Sequence, residues 1–212
     1  IVNGTSQSVN TNLSSNSTYY YRVRAFSSSN ISNNSNVITV LTAPAAPVAN
    51  TALGITTTGF NASWSAPAGA TGYRLDVATD NLFTSLVSGY SNLTVAGTSQ
   101  AVSGLSPNTT YYYRVRAVNS ESSVSNNSIP ATVVTGPATP LATAATNKAA
   151  ASFTANWDAV AGATGYGLYV CSSDFRPAMA DAELGRHRPD YNNFYQQYRS
   201  FVRNFIADQS AR

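Results

Sequence analysis

Cys171 and His187 are the chain's single thiol and single imidazole, 16 residues apart. A thiolate–imidazole pair is the one nucleophilic arrangement they could form. With no second Cys or His, neither a structural zinc site nor a Cys/His pair built from repeated motifs can be assembled, and no disulfide framework exists within the chain. The carboxylates of the repetitive part, Asp76, Asp80, Glu121 and Asp158, fall on strand exteriors and loops of separate elements. Glycoside hydrolysis needs two carboxyls facing one bond, and nothing in this spacing brings two into a cleft. Asp76 and Asp80, four apart, could give two oxygens to a calcium ion, which takes about six to eight. The expectation is therefore no catalytic, cofactor-binding or metal-binding residue, and a chain that is not an enzyme.

Tyrosine is the better candidate for recognition. Triplets at Tyr19–Tyr21 and Tyr111–Tyr113 invite a sugar-stacking reading, because exposed aromatic faces lie flat on pyranose rings. Alternation along a strand sends Tyr111 and Tyr113 inward and leaves Tyr20 and Tyr112 outward, beside Arg22, Arg24, Arg114 and Arg116. Tyr90, in SGYSN, and Phe83 sit in loop-like context and are expected to be exposed. The candidate ligand-binding set is Tyr90, Tyr112, Arg114 and Arg116, with Arg114 or Arg116 also expected to meet Asp76 on the neighbouring strand.

The elements that position these groups follow from a period of two. Phe60, Ala62 and Trp64 form one apolar row, Tyr73, Leu75 and Val77 a second, and Tyr111, Tyr113, Val115 and Ala117 a third, with Arg74, Asp76, Arg114 and Arg116 on the opposite faces. APAGATG, SGYSN, GTSQ and LSPNTT punctuate the rows with turn residues, and no helical period appears before about residue 176. Short strands at even spacing predict an all-β sandwich with an expected core of Trp64, Tyr73, Leu75, Val77, Leu105, Tyr111, Tyr113 and Val115.

The text repeats. LSSNSTYYYRVRAF from Leu13 returns as LSPNTTYYYRVRAV from Leu105, an offset of 92, and FNASWSAPAGATGYRLDV from Phe60 returns as FTANWDAVAGATGYGLYV from Phe153, an offset of 93. The two matches use different halves of one unit. The chain is thus expected to be a piece of something longer: the back half of one copy at 1–42, a complete copy at 43–135, and the front half of a third at 136–175.

Pro44 and Pro47 entering a first strand, Trp64 on a second, Tyr73-x-Leu75-x-Val77 on a third, and Leu105-x-Pro107-x-Thr109-x-Tyr111 with Val115 and Ala117 on a sixth form a pattern that resembles the fibronectin type III domain, in the Thr/Asn-rich form of large bacterial secreted and surface proteins. The resemblance covers roughly residues 1–175 and implies tandem immunoglobulin-like sandwiches. It places Trp64 between the sheets and makes Tyr111 a corner tyrosine whose hydroxyl ties back near Leu105. The loop VNSESSVSNN lacks the Arg-Gly-Asp triplet of integrin-binding members. What it implies for function is a non-catalytic extracellular spacer of a larger repeat protein, supporting adhesion or domain presentation. The alternative is a carbohydrate-binding accessory module of a polysaccharide-degrading enzyme.

Composition agrees with life outside the cell. Ser, Thr and Asn number 28, 23 and 21, about a third of 212 residues, whereas Lys occurs once. A net charge of +3 without a basic tract argues against nucleic acid, and no apolar run is long enough to enter a membrane. Expected partners are neighbouring domains of the parent chain and, in the alternative, polysaccharide or cell-surface glycan. A third reading is self-association, in which the half domains at 1–42 and 137–175 complete one another between chains.

The repeat breaks in the tail. VRNFIADQS stands where the TTYYYRVRA strand should recur, and residues 171–212 carry 11 charges against 10 in the preceding 170. Two readings stay open for 176–212, a frame-disrupted stretch or a genuine segment. In the second, Phe194, Tyr198, Phe201 and Phe205 make the apolar stripe of a helix at 190–207 that caps the third copy or mediates self-association.

Overall fold

A computed structural model describes residues 4–170. The tail expectations, including the helix at 190–207 and the environments of Cys171 and His187, lie outside the described residues. Ten strands follow one another: β1 Thr18–Tyr21, β2 Ile38–Leu41, β3 Phe60–Ser63, β4 Gly72–Ala78, β5 Leu93–Val95, β6 Ser99–Val102, β7 Thr110–Val118, β8 Ala131–Val134, β9 Ala142–Thr146 and β10 Thr154–Trp157. No helix occurs among the described residues.

The complete copy is a sandwich of two antiparallel sheets, β3–β6 and β5–β4–β7–β8. Its entry segment makes only isolated bridges along the edge of β3, Ala49 to Trp64 and Leu53 to Asn61, so the strand expected after Pro44 and Pro47 is not a continuous one. Proline donates no ladder hydrogen bond, which suits that edge. The β7 sequence TYYYRVRAV alternates strictly: Tyr111, Tyr113, Val115 and Ala117 are buried, while Tyr112, Arg114, Arg116 and Val118 are half-buried on the outer face. Trp64, Tyr73, Leu75, Val77 and Leu105 fill the same core, with Phe60 against Tyr113 at 5.8 Å and Trp64 against Tyr73 at 5.6 Å between ring centroids.

Two polar ties close this core. Tyr113 donates its hydroxyl to the carbonyls of Asn50 and Ser63, stitching one sheet to the other, and burial pushes that phenol above its ordinary range. The amide of Ser106 donates to the Tyr111 hydroxyl at 2.9 Å, fixing the corner before β7.

The flanking stretches form separate two-stranded ladders, β1–β2 and β9–β10. Tyr21, which corresponds to the fully buried Tyr113, is 55% exposed, and Trp157, which corresponds to Trp64, is 37% exposed against 3%. The same residue types bury fully only where both sheets are present.

Candidate functional site

Three of the four candidate groups, Tyr112, Arg114 and Arg116, share the outer face of the four-stranded sheet. Register places Asp76 of β4 opposite Arg114 of β7, and Arg74 opposite Arg116. Two arginines directly opposed would repel, and they turn apart: Arg74 donates to the Thr94 hydroxyl, and Arg116 swings towards Asp76. Asp76 Oδ2 accepts from Arg114 Nε at 3.0 Å and from Arg116 Nη2 at 3.3 Å, while Oδ1 accepts from the Asn92 amide at 2.7 Å. Arg116 Nη2 also donates to Asn92 Oδ1 at 2.9 Å. Both arginines, not one, therefore meet the aspartate.

This arrangement corrects the alternation reading of Asp76. It points to the outer face as expected, yet it is 3% exposed, because Asn92 and the two guanidiniums close over it. The loop aromatics are corrected as well. Phe83 is only 8% exposed: its ring lies 4.2 Å from the Arg114 guanidinium carbon, a cation–π contact on the sheet's outer face. Tyr90 is half-buried against the core, and its hydroxyl accepts from the Ser103 amide at 2.9 Å. Of the four candidates, Tyr112 alone stands clear of these contacts, half-buried on the outer face.

Asp80 explains why Phe83 folds back. Its carboxylate accepts amide hydrogen bonds from Leu82, Thr84 and Ser85, with a shortest distance of 2.7 Å to Ser85. Closing this turn puts Phe83 in the left-handed region at φ 59°, an uncommon conformation for a bulky residue. The signal was available in sequence, since an Asp opening a short polar loop hydrogen-bonds amides just ahead of it. Its oxygens are thus engaged by backbone rather than directed at an ion. Among the described residues, no group of three or more His, Cys, Asp or Glu side chains lies together for a metal.

The Thr84 amide above all, with those of Ser85 and Leu82, holds the Asp80 carboxyl below the ordinary aspartate range. A lowered folded-state pKa stabilises the turn fully above the unfolded value and loses that stabilisation as pH falls through the folded one. Amide shifts of Thr84 and Ser85 are accordingly expected to titrate with a midpoint below about 4. A midpoint at or above the ordinary value would contradict the capping role.

Elsewhere a shallow depression of about 510 Å³ runs over β3 and β6, lined by Leu53, Asn61, Ser63, Ser99 and Gln100 among others. It offers amides and hydroxyls without an acid or base to act on them. Among the described residues no helix is long and apolar enough to cross a membrane.

Residues 45–134 match the family model of the fibronectin type III domain. Among solved structures, the chain is similar to the crystal structure of FN3tt, at 29% identity over 44% of this chain and 95% of that one, with a TM-score of 0.34. It is similar to an Fn3-like protein from Clostridium thermocellum at 27% identity, over 42% of this chain and 90% of that one, with a TM-score of 0.36. A beta-1,2-glucanase from Parabacteroides distasonis aligns at 19% identity over 46% of this chain and 13% of its own length, with a TM-score of 0.37. Among curated proteins none matches.

Proposed function

We propose that this chain, in which residues 45–134 are a fibronectin type III domain, is a spacer of a larger extracellular or surface repeat protein, holding an adhesive or catalytic domain away from its anchor. The domain is a common non-catalytic module, and its outer face supports the same reading for this member. The observation that carries it is the Asp76 cluster: Arg114 and Arg116, two of the four candidate ligand-binding groups, are engaged by Asp76, Asn92 and Phe83. Scarcity of Lys and abundance of Ser, Thr and Asn fit an exposed, charge-poor rod outside the cell.

Tyr112, half-exposed beside Arg114, favours the second reading, a module that holds carbohydrate. A pull-down of the full chain on insoluble polysaccharides separates the two. The spacer reading expects no retention above a non-binding control protein. Retention that disappears in Tyr112→Ala would replace it with the carbohydrate-binding reading.

A further inference from the structure

Asn16 and Asn108 occupy equivalent places in the repeat, in the loop before the corner tyrosine, and both adopt the left-handed conformation at φ 46° and 45°. Gly69 and Gly162 are equivalent too, in the AGATG turn, at φ 76° and 74°. A methyl group built on Gly69 would overlap the Asn16 carboxamide, and one built on Gly162 would overlap that of Asn108. In each case the asparagine belongs to one copy and the glycine to the next. The same contact therefore occurs twice, one repeat apart, between the same two features.

We infer that these contacts are a built joint between successive copies. An asparagine knob at the end of one copy seats in a notch that only glycine leaves open at the start of the next. The partner surface for each copy is thus the following copy of the same domain. The inference rests on the proposed reading of the flanking stretches as copies of the complete domain.

The chain on either side of the joint is tied down in matching ways. Thr42 Oγ1 donates to the Ser14 carbonyl at 2.7 Å and accepts from the Ser17 amide at 2.9 Å; Thr135 Oγ1 does the same with Ser106 at 2.7 Å and Thr109 at 3.0 Å. The Asn16 amide donates to the Ala43 carbonyl at 2.9 Å, as Asn108 does to Gly136 at 2.8 Å. Each copy therefore releases its linker at a fixed point beside the knob. The receiving turn is closed alike in both copies, by Ala70 to Pro67 at 3.2 Å and Ala163 to Val160 at 3.1 Å. At the first joint Asn119, buried in the complete copy, adds a second latch by donating Nδ2 to the Thr42 carbonyl at 3.2 Å.

The default for domains joined by short linkers is relative motion unless contacts restrain it. A knob and notch on opposite ends of one unit make a heterologous, head-to-tail contact that propagates one orientation along an array. The spacer would then be a jointed rod with a set angle rather than loosely strung beads.

The test uses the full chain with Cys171→Ser and spin labels at Tyr20→Cys on β1 and Ser99→Cys on β6. A single narrow distance distribution is expected. Asn16→Gly removes the carboxamide while keeping a residue at ease with positive φ, and it should broaden that distribution without moving the melting transition of the complete domain. A broad distribution in the parent, or one that Asn16→Gly leaves narrow, would overturn the joint. In the unlabelled chain, nuclear Overhauser contacts between the Asn108 carboxamide and the Gly162 α-protons are expected, and their absence would likewise overturn it. Failure here leaves a spacer with flexible links, whereas retention on polysaccharide removes the spacer reading and leaves the joint standing.

Discussion

Trp64→Ala is expected to remove a large part of the stability of the complete domain. The side chain is 3% exposed, lies against Tyr73 and belongs to the one cluster that joins both sheets. Truncating a buried tryptophan forfeits its transfer free energy and leaves a cavity into which the surrounding structure relaxes only in part, together about 3–5 kcal/mol. A domain of this size has roughly 5–13 kcal/mol in total. The melting temperature should fall by roughly 15–30 °C, read by calorimetry on the full chain. Trp157→Ala is the internal comparison: it has the same sequence context one repeat later but is 37% exposed, so less apolar surface is at stake and the loss should be smaller. A change of under about 1 kcal/mol in Trp64→Ala would be typical of a surface site and would remove Trp64 from the core.

The contrast between those two tryptophans also marks how far sequence reasoning reaches. Alternation in TYYYRVRAV and GYRLDV decides which side chains face the core, because a strand has only two faces. That, with the turn residues, is enough to reach an all-β sandwich; the likeness to the fibronectin type III domain rests instead on the Pro44, Pro47, Trp64 and Leu105-x-Pro107-x-Thr109-x-Tyr111 motifs. What alternation does not decide is whether an outward residue meets water. Asp76 and Phe83 read as exposed because each belongs to an outer face or a loop, but local turns carry the Phe83 ring and the Asn92 amide back over that face. The Asp80 turn is a short-range signal that could have exposed the error. The Asn92 contact, 16 residues from Asp76 and at φ 55°, depends on how the strand connection folds and has no comparable local signature. The repeated asparagine and glycine were visible as letters, but their meeting is a tertiary fact.

Asp76→Ala is the second large effect expected, and its size follows from what the carboxylate leaves behind. Removing it strips the Asn92 amide of its acceptor and leaves Arg114 and Arg116 without the anion that holds them together. Breaking a fully buried pair costs about 3–5 kcal/mol. Here the aspartate side chain is 4% exposed but the arginine side chains are 26% and 27% exposed, so water takes over part of their solvation and about 2–3 kcal/mol is the fitting range. Arg114→Ala and Arg116→Ala should each cost less, about 1 kcal/mol, because the other arginine still pairs with the carboxylate. Asp76→Asn should fall between, since an amide oxygen can accept from Asn92 but carries no charge for the guanidiniums. Denaturant titrations of the four variants test this order. An Asp76→Ala variant within about 0.5 kcal/mol of the parent would mean that the cluster is a solvated surface pair, and its arginines would then be available to a ligand after all.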